Sequence, residues 1–274
     1  MTSVLAGSRQ FPSPSSAVPR SQHGFSDGVW RLLDRIDCRR ADTAEDREVI
    51  SRLRYEAYLR EGAISPNPSG TFSDPYDCSE NAYLFGLYID GVLASSVRLH
   101  VGSREHPDFP SLHVFPDVLQ KYIDAGNVIV DTTRFVADET LSRRYRGLPY
   151  VTLRLSWLSL AYFKADYSLA AVRTEHQAFY RRTFHHDMLC EPRPYPHLEK
   201  PICLMAMHYP TVTDDVHRRY PFFRSTLFER RMMFERQAAP GIQPNHETAE
   251  GNEASSGRGN ISPFRERDRS CLAG

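Results

Sequence analysis

There is no net charge on this chain of 274 residues: 34 Lys and Arg stand against 34 Asp and Glu. Such a balance gives no overall attraction to nucleic acid or to an anionic membrane. No apolar run approaches the roughly 20 residues that a membrane-spanning helix needs. The N-terminus has no apolar core after its first basic residue, so no signal peptide is read there. The five cysteines, Cys38, Cys78, Cys190, Cys203 and Cys271, are odd in number and never spaced CxxC. That argues against zinc held by thiolates and for ordinary thiols in a reducing compartment. Gly-x-Ser-x-Gly, Walker and Rossmann patterns are missing, so hydrolase, nucleotide-hydrolysis and dinucleotide readings gain nothing. His176, His185 and His186 lack the spacing or the third partner of a metal site. A soluble cytoplasmic chain without a metal is expected.

What is present falls into three parts. Residues 1–27 are rich in Ser, Pro, Gly and Gln, and residues 238–274 return to that composition. Neither stretch buries enough apolar surface to offset ordering entropy, so both are expected to be disordered tails around one domain, 28–237. Within it, residues 36–41 read as a strand, and Asp42 or Thr43 caps a helix with Glu45 and Asp46 in its first turn. Residues 62–81 form a long loop, of a length uncommon unless functional. Asp90-Gly91 joins two β-rich runs, 83–89 and 92–101, as a hairpin. A short helix over 115–125 precedes the central strand, Asn127 to Ala137. Leu148, Val151, Leu155, Leu158 and Tyr162 then recur at helical spacing, with other faces apolar too, so that helix is expected to be buried. A strand at 168–173, a helix at 177–184, a strand at 201–209 and a terminal helix over 212–236, broken at Pro221, complete an α/β mixture around one mixed sheet.

Charged residues recur inside these elements. Arg54 lies one turn before Tyr58 on the first helix. Asp74 and Asp77 bracket a turn in the long loop. Arg98 lies within the second hairpin strand, and Asp131, Thr133 and Arg134 lie in the central strand. The plain alternative is an N-capping turn and surface ion pairs, each worth little. It is weakest for Arg98 and Asp131, which sit mid-strand among apolar neighbours, where an unpaired charge is costly. Alternation puts Asp131 and Thr133 on one face and Arg134 on the other, so a β-bulge is needed to bring them to one cleft. Arg143, Arg144 and Arg146 precede Gly147 at the start of the buried helix, a place where backbone N–H groups bind phosphate.

Arg54 with Tyr58, Asp74-Pro-Tyr-Asp77, Arg98-Leu99 and Asp131-Thr-Thr-Arg-Phe135 fall in an order and spacing that resemble the acyl-homoserine-lactone (autoinducer) synthases. The chain is more similar still to their bacterial relatives, the N-acyl amino acid synthases, over residues 36–210. The resemblance implies a GNAT-like N-acyltransferase fold, a mixed central sheet flanked by helices. It implies transfer of a long-chain acyl group from acyl carrier protein to the amine of an amino acid, with the acyl-phosphopantetheine thioester as donor substrate and no cofactor. Asp131, Thr133 and Arg134 would be catalytic, and Arg54, Tyr58, Asp74, Asp77 and Arg98 would bind the acceptor. Arg143, Arg144, Arg146 and Gly147 would receive the carrier and its pantetheine, with Arg181 and Arg182 extending the patch, and Leu155, Leu158 and Tyr162 would line an acyl tunnel. Asp131 stands where that family usually has Glu, Thr133 where it has Ser, and His100 follows Leu99. The loop before Asp74 lacks the tryptophan typical of the lactone synthases, the only tryptophans being Trp30 and Trp157, which favours an amino acid over S-adenosylmethionine as acceptor. Lactone synthesis, or a non-catalytic acyl-carrier or lipid-binding module, are the alternatives.

Overall fold

A computed structural model of the chain describes residues 20–235. Helix α1 (Arg20–Leu33) leads into β1 (Ile36–Arg40) and α2 (Ala44–Arg60). Thr43 caps α2 in a reciprocal capping box with Asp46, as the acids in the first turn suggest. After the loop come β2 (Ala82–Ile89) and β3 (Val92–Gly102), joined through Asp90 and Gly91, both with positive φ. Helices α3 (Pro110–Val114) and α4 (Pro116–Asp124) precede the central β4 (Ile129–Ala137). Then follow α5 (Glu139–Arg144), α6 (Leu148–Tyr162), β5 (Tyr167–Val172), α7 (Gln177–Phe184), β6 (Asp187–Met188), β7 (Arg193–Tyr195) and β8 (Leu198–His208). Helices α8 (Tyr209–Arg219) and α9 (Leu227–Phe234) flank Pro221, which cannot donate a helical hydrogen bond and separates them.

The strands form one mixed sheet in the order β1-β2-β3-β4-β5-β8-β6, with β7 paired to β8. The β4–β5 pair is parallel and the other pairs are antiparallel. Helix α6 is buried from Leu148 to Leu160 on nearly every side. It lies on one face of the sheet with Val97, Leu99 and Val130, among the aromatic rings of Trp157, Phe222, Phe223 and Phe234. Helix α2 lies on the other face, where Leu53 and Ala57 meet Val136.

Two expectations change. Residues 20–27 belong to α1 and not to a tail: Phe25 stacks edge-on against Tyr150 at 4.9 Å, and Val29 and Leu32 are buried. The helix runs through Gly24 and Gly28 because its apolar stripe is covered by α6 and the turn at Pro221–Phe223, which outweighs their poor helix propensity. Residues 1–19 and 236–274 lie outside the described residues. Cys38, Cys190 and Cys203 are free thiols, whereas Cys78 is disulfide-bonded, so ordinary thiols do not hold throughout. No helix among the described residues is long and apolar enough to cross a membrane.

Candidate functional site

The α2 face of the sheet gathers most of the charges singled out in the sequence. Asp74 caps the 3-10 turn Pro75–Cys78, and Asp77 closes the box back onto it, so both carboxylates point the same way. Arg54 on α2 holds Asp77 through Nη1 at 2.7 and 2.9 Å. Arg98 on β3 bonds Asp77 at 2.9 Å and Asp74 as well, and its Nε donates to Thr133 Oγ1 at 3.2 Å. Arg134 on β4 reaches Asp74 at 2.7 and 3.1 Å. The result is a continuous ionic chain, Arg54–Asp77–Arg98–Asp74–Arg134, whose side chains are all at most 7% exposed.

A bulge makes this possible. Ser96 pairs with Val136 but Arg98 pairs with Thr133, so β4 carries one residue more than β3 between these pairs, and Arg134 takes φ 53°. Side chains before the bulge alternate: Val130 and Thr132 face α6, while Asp131 and Thr133 face the α2 side. After it the parity flips, so Arg134 and Val136 also face the α2 side and Phe135 faces α6. Asp131 and Arg134 thereby share a face that plain alternation denies them.

Burial by itself would raise Asp74, but Arg98 and Arg134 outweigh it and hold the carboxyl well below the usual range. Asp77 is lowered in the same way, burial being overcome by Arg54 and Arg98. Three guanidinium charges face two carboxylates here. Arg54 Nε and Nη2 and Arg98 Nη2 have no partner in the structure. Arg134 is also surrounded by rings, 4.8 Å from Phe72 and 5.9 Å from Tyr58 and Tyr195.

Asp131 is on the same face but outside the ionic chain. Its two oxygens accept from the Ser111 backbone N–H at 3.0 Å and the Ser111 hydroxyl at 2.8 Å. Burial raises its pKa against those two bonds and the nearby Arg98. Ser111 is delivered by α3, whose preceding Phe109 packs on Gly102; a Cβ there would stand 2.4 Å from the ring. His100, paired across from Asp131, bonds the Tyr76 carbonyl through Nε2 at 3.1 Å, and its Nδ1 is unpartnered. Burial and Arg98 push it down to about 3, so the ring is neutral. Ser111, Tyr195 and Phe72 were not singled out in the sequence. Pro110-Ser111 carries a helix-start signal that would have found α3, whereas β7 is too short to give any pattern.

The remaining candidates lie elsewhere. Strand pairing between β4 and β5 runs from Ile129–Tyr167 to Thr132–Ala170 and stops there, while β4 continues to Ala137. The two strands part beyond that point. Arg143, Arg144 and Arg146 are exposed on α5 and the turn before α6, with Arg143 paired to Glu139 at 2.6 Å; Arg181 and Arg182 are exposed on α7. Gly147 has a packing reason, since an added Cβ would lie 3.2 Å from Val29 of α1. Leu155 and Leu158 are buried in the main core, and Tyr162 packs against it at the rim. No group of three or more His, Cys, Asp or Glu among the described residues is placed to hold a metal ion.

A family model described as N-acyl amino acid synthase FeeM matches residues 49–208. Among solved structures, FeeM, an N-acyl amino acid synthase from uncultured soil microbes, superposes with a TM-score of 0.55 at 18% identity, covering 69% of this chain and 98% of that one. An acyl-CoA N-acyltransferase from Pseudomonas aeruginosa gives 0.43 at 18% identity, covering 62% and 97%. The CoA-dependent acyl-homoserine lactone synthase BjaI gives 0.47 at 16% identity, covering 68% and 89%. No curated protein matches the sequence. The fold is GNAT-like, a mixed central sheet flanked by helices.

Proposed function

Because the chain belongs to the N-acyl amino acid synthase FeeM family, we propose that it moves a long-chain acyl group from acyl carrier protein to the amine of an amino acid. The observation that carries this reading is the parting of β4 from β5 after Thr132 and Ala170. An extended pantetheine arm finds there an unpaired strand edge to bond, as a peptide does in strand addition. The bulge at Arg134 frees backbone groups from the ladder close to that edge, and a freed N–H is the donor a thioester oxyanion needs.

Transfer is aminolysis: the ammonium gives one proton to a base, the C–N bond forms, the C–S bond breaks, and the nitrogen's second proton goes to the leaving sulfur as a thiol. Asp131 takes the first proton through the Ser111 hydroxyl that it holds; both side chains are fully buried in the free chain, so the amine meets them only inside the closed site. Its raised pKa brings it nearer the range of a working base. Thr133 steadies Arg98, and Arg134 keeps the bulge closed on Asp74. The acceptor's carboxylate supplies the negative charge that the unpartnered nitrogens of Arg54 and Arg98 lack. Arg143, Arg144 and Arg146 receive the acidic carrier.

The test is incubation with acyl-loaded carrier protein and a mixture of amino acids, followed by mass spectrometry. An N-acyl amino acid is expected, and Asp131→Asn and Ser111→Ala should each cut kcat by a factor of ten or more. A lactone formed from S-adenosylmethionine would replace this reading with autoinducer synthesis. Tight thioester binding without any product would replace it with a binding module.

A further inference from the structure

At the closed end of the β4–β5 gap, on the α6 side, lies a cavity of about 10 Å3, walled in part by Thr132, Ser156, Trp157, Ser168, Phe184 and His186. That is room for about one water-sized group and not for a run of methylenes. Thr132 is the last β4 residue to pair with β5, so the cavity adjoins the place where the strands part. His186 is 3% exposed and neither of its ring nitrogens has a partner. Burial, with a contribution from His185, pushes its pKa down to about 3, which keeps the imidazole neutral. An unpaired buried imidazole costs free energy that a guest oxygen would recover. The neutral ring gives no opposite charge to a carboxylate or phosphate, so the guest that fits is a neutral oxygen. Thr132 Oγ1 and Ser156 Oγ are bonded to each other at 2.6 Å, which uses one hydroxyl hydrogen and leaves the other out of that bond.

Resting on the acyl-transfer reading above, we propose that this niche receives a hydroxyl carried by the acyl chain, with His186 as its partner, and so selects hydroxyacyl donors over unsubstituted ones. A hydroxyl both donates and accepts, so it pairs with the imidazole in either tautomer, whereas a keto oxygen serves only the N–H. The carbon chain passes along the gap and only the oxygen enters. In the free enzyme one water fits the same space, and the hydroxyl replaces it.

The experiment compares acyl-pantetheine donors of one chain length, unsubstituted or hydroxylated at successive carbons, by kcat/KM. One hydroxylated donor is expected to be preferred about tenfold or more, the usual discrimination of a site left with an unpaired buried partner. In His186→Leu that preference ratio should fall at least tenfold, and in His186→Gln, which keeps a polar group, it should fall less. Equal use of all donors by the wild type would overturn the proposal and leave the niche to a water. So would a preference that survives in His186→Leu. Binding of unreactive thioether analogues, measured by calorimetry on the full chain, makes the same comparison without an acceptor. If a hydroxylated analogue binds about tenfold tighter while no amino acid is acylated, the niche stands and the acyl-transfer reading falls. Equal binding of all analogues sinks the niche whatever the acceptor.

Discussion

On the α6 face of the sheet, β3 and β4 present Val97, Leu99, Val130 and Phe135 to a layer of aromatic and aliphatic side chains. On the α2 face the same two strands present Arg98, His100, Asp131 and Arg134. The first face is held by area and packing, in which every neighbour shares a little of the energy. The middle of the second, between the apolar contacts of Ile129 and Val136, is held by a few charges taken out of water together, each stable only because its partner is there. The two faces should therefore fail differently, the first gradually with lost volume and the second abruptly with one lost charge. A fold that needed only stability would gain little from the second arrangement, since apolar residues of similar size often do as well. Its value is positional: the ionic chain ties the 62–81 loop to the bulged strand, beside the gap where β4 leaves β5.

The comparison breaks most sharply at Asp74. Asp74→Asn conserves volume, yet it leaves Arg98 and Arg134 facing a neutral group in a buried site, and a loss of about 3–5 kcal/mol is expected by chemical denaturation. A loss under about 1 kcal/mol, the scale of an exposed pair, would show that water screens the network after all. pH sharpens the same point. Asp74 and Asp77 titrate lower in the folded chain than in the unfolded one. Their contribution is thus complete above the ordinary carboxylate value of about 3.9 and fades as the pH falls below it. The stability gap between wild type and Asp74→Asn should narrow between pH 5 and about pH 2, and a gap independent of pH would contradict the assignment.

On the apolar face the effects are smaller. A chain beginning at residue 28 loses Phe25 and its contacts with Tyr150 and Phe222, at a cost of about 1–2 kcal/mol for a half-buried ring. Unchanged melting would mean that the first half of α1 contributes nothing to the core. Leu158→Met, inside α6, conserves volume and should cost less than about 1.5 kcal/mol, well under the isosteric change at Asp74. The least effect on folding is expected from Arg143→Glu with Arg144→Glu, since both side chains are exposed. There the readout is kinetic: KM for acyl carrier protein rises and becomes less sensitive to salt, while turnover of a small acyl-pantetheine donor changes little. Equal losses on both donors would show that these arginines hold the pantetheine arm or the fold.

Local chemistry was legible where it is self-contained. The cap at Thr43, the turn at Asp90-Gly91 and helix α7 each follow from a few neighbouring residues, because capping and turn preferences act over three or four positions. The charges of the site were legible as misfits, acids and arginines placed among apolar residues. Helix α1 was not, because two glycines and a polar composition hide an apolar stripe that only α6 and the Pro221 turn complete. Leu155 and Leu158, expected to line an acyl tunnel, are buried in the main core, and core and channel linings share one composition.

The sequence by itself singled out six of the charges that the interior holds, Arg54, Asp74, Asp77, Arg98, Asp131 and Arg134, though not Arg154 on α6, and it showed that alternation alone separates Asp131 from Arg134. Only the tertiary structure decided who meets whom. The extra β4 residue opposite β3 brought Arg134 to the face of Arg98, the capped turn set both loop carboxylates between three arginines, and α3 gave Asp131 to Ser111 instead. Those partners lie 20 to 60 residues apart along the chain. The energy that selects them, mutual rescue of charges from desolvation, exists only once the chain has closed around them.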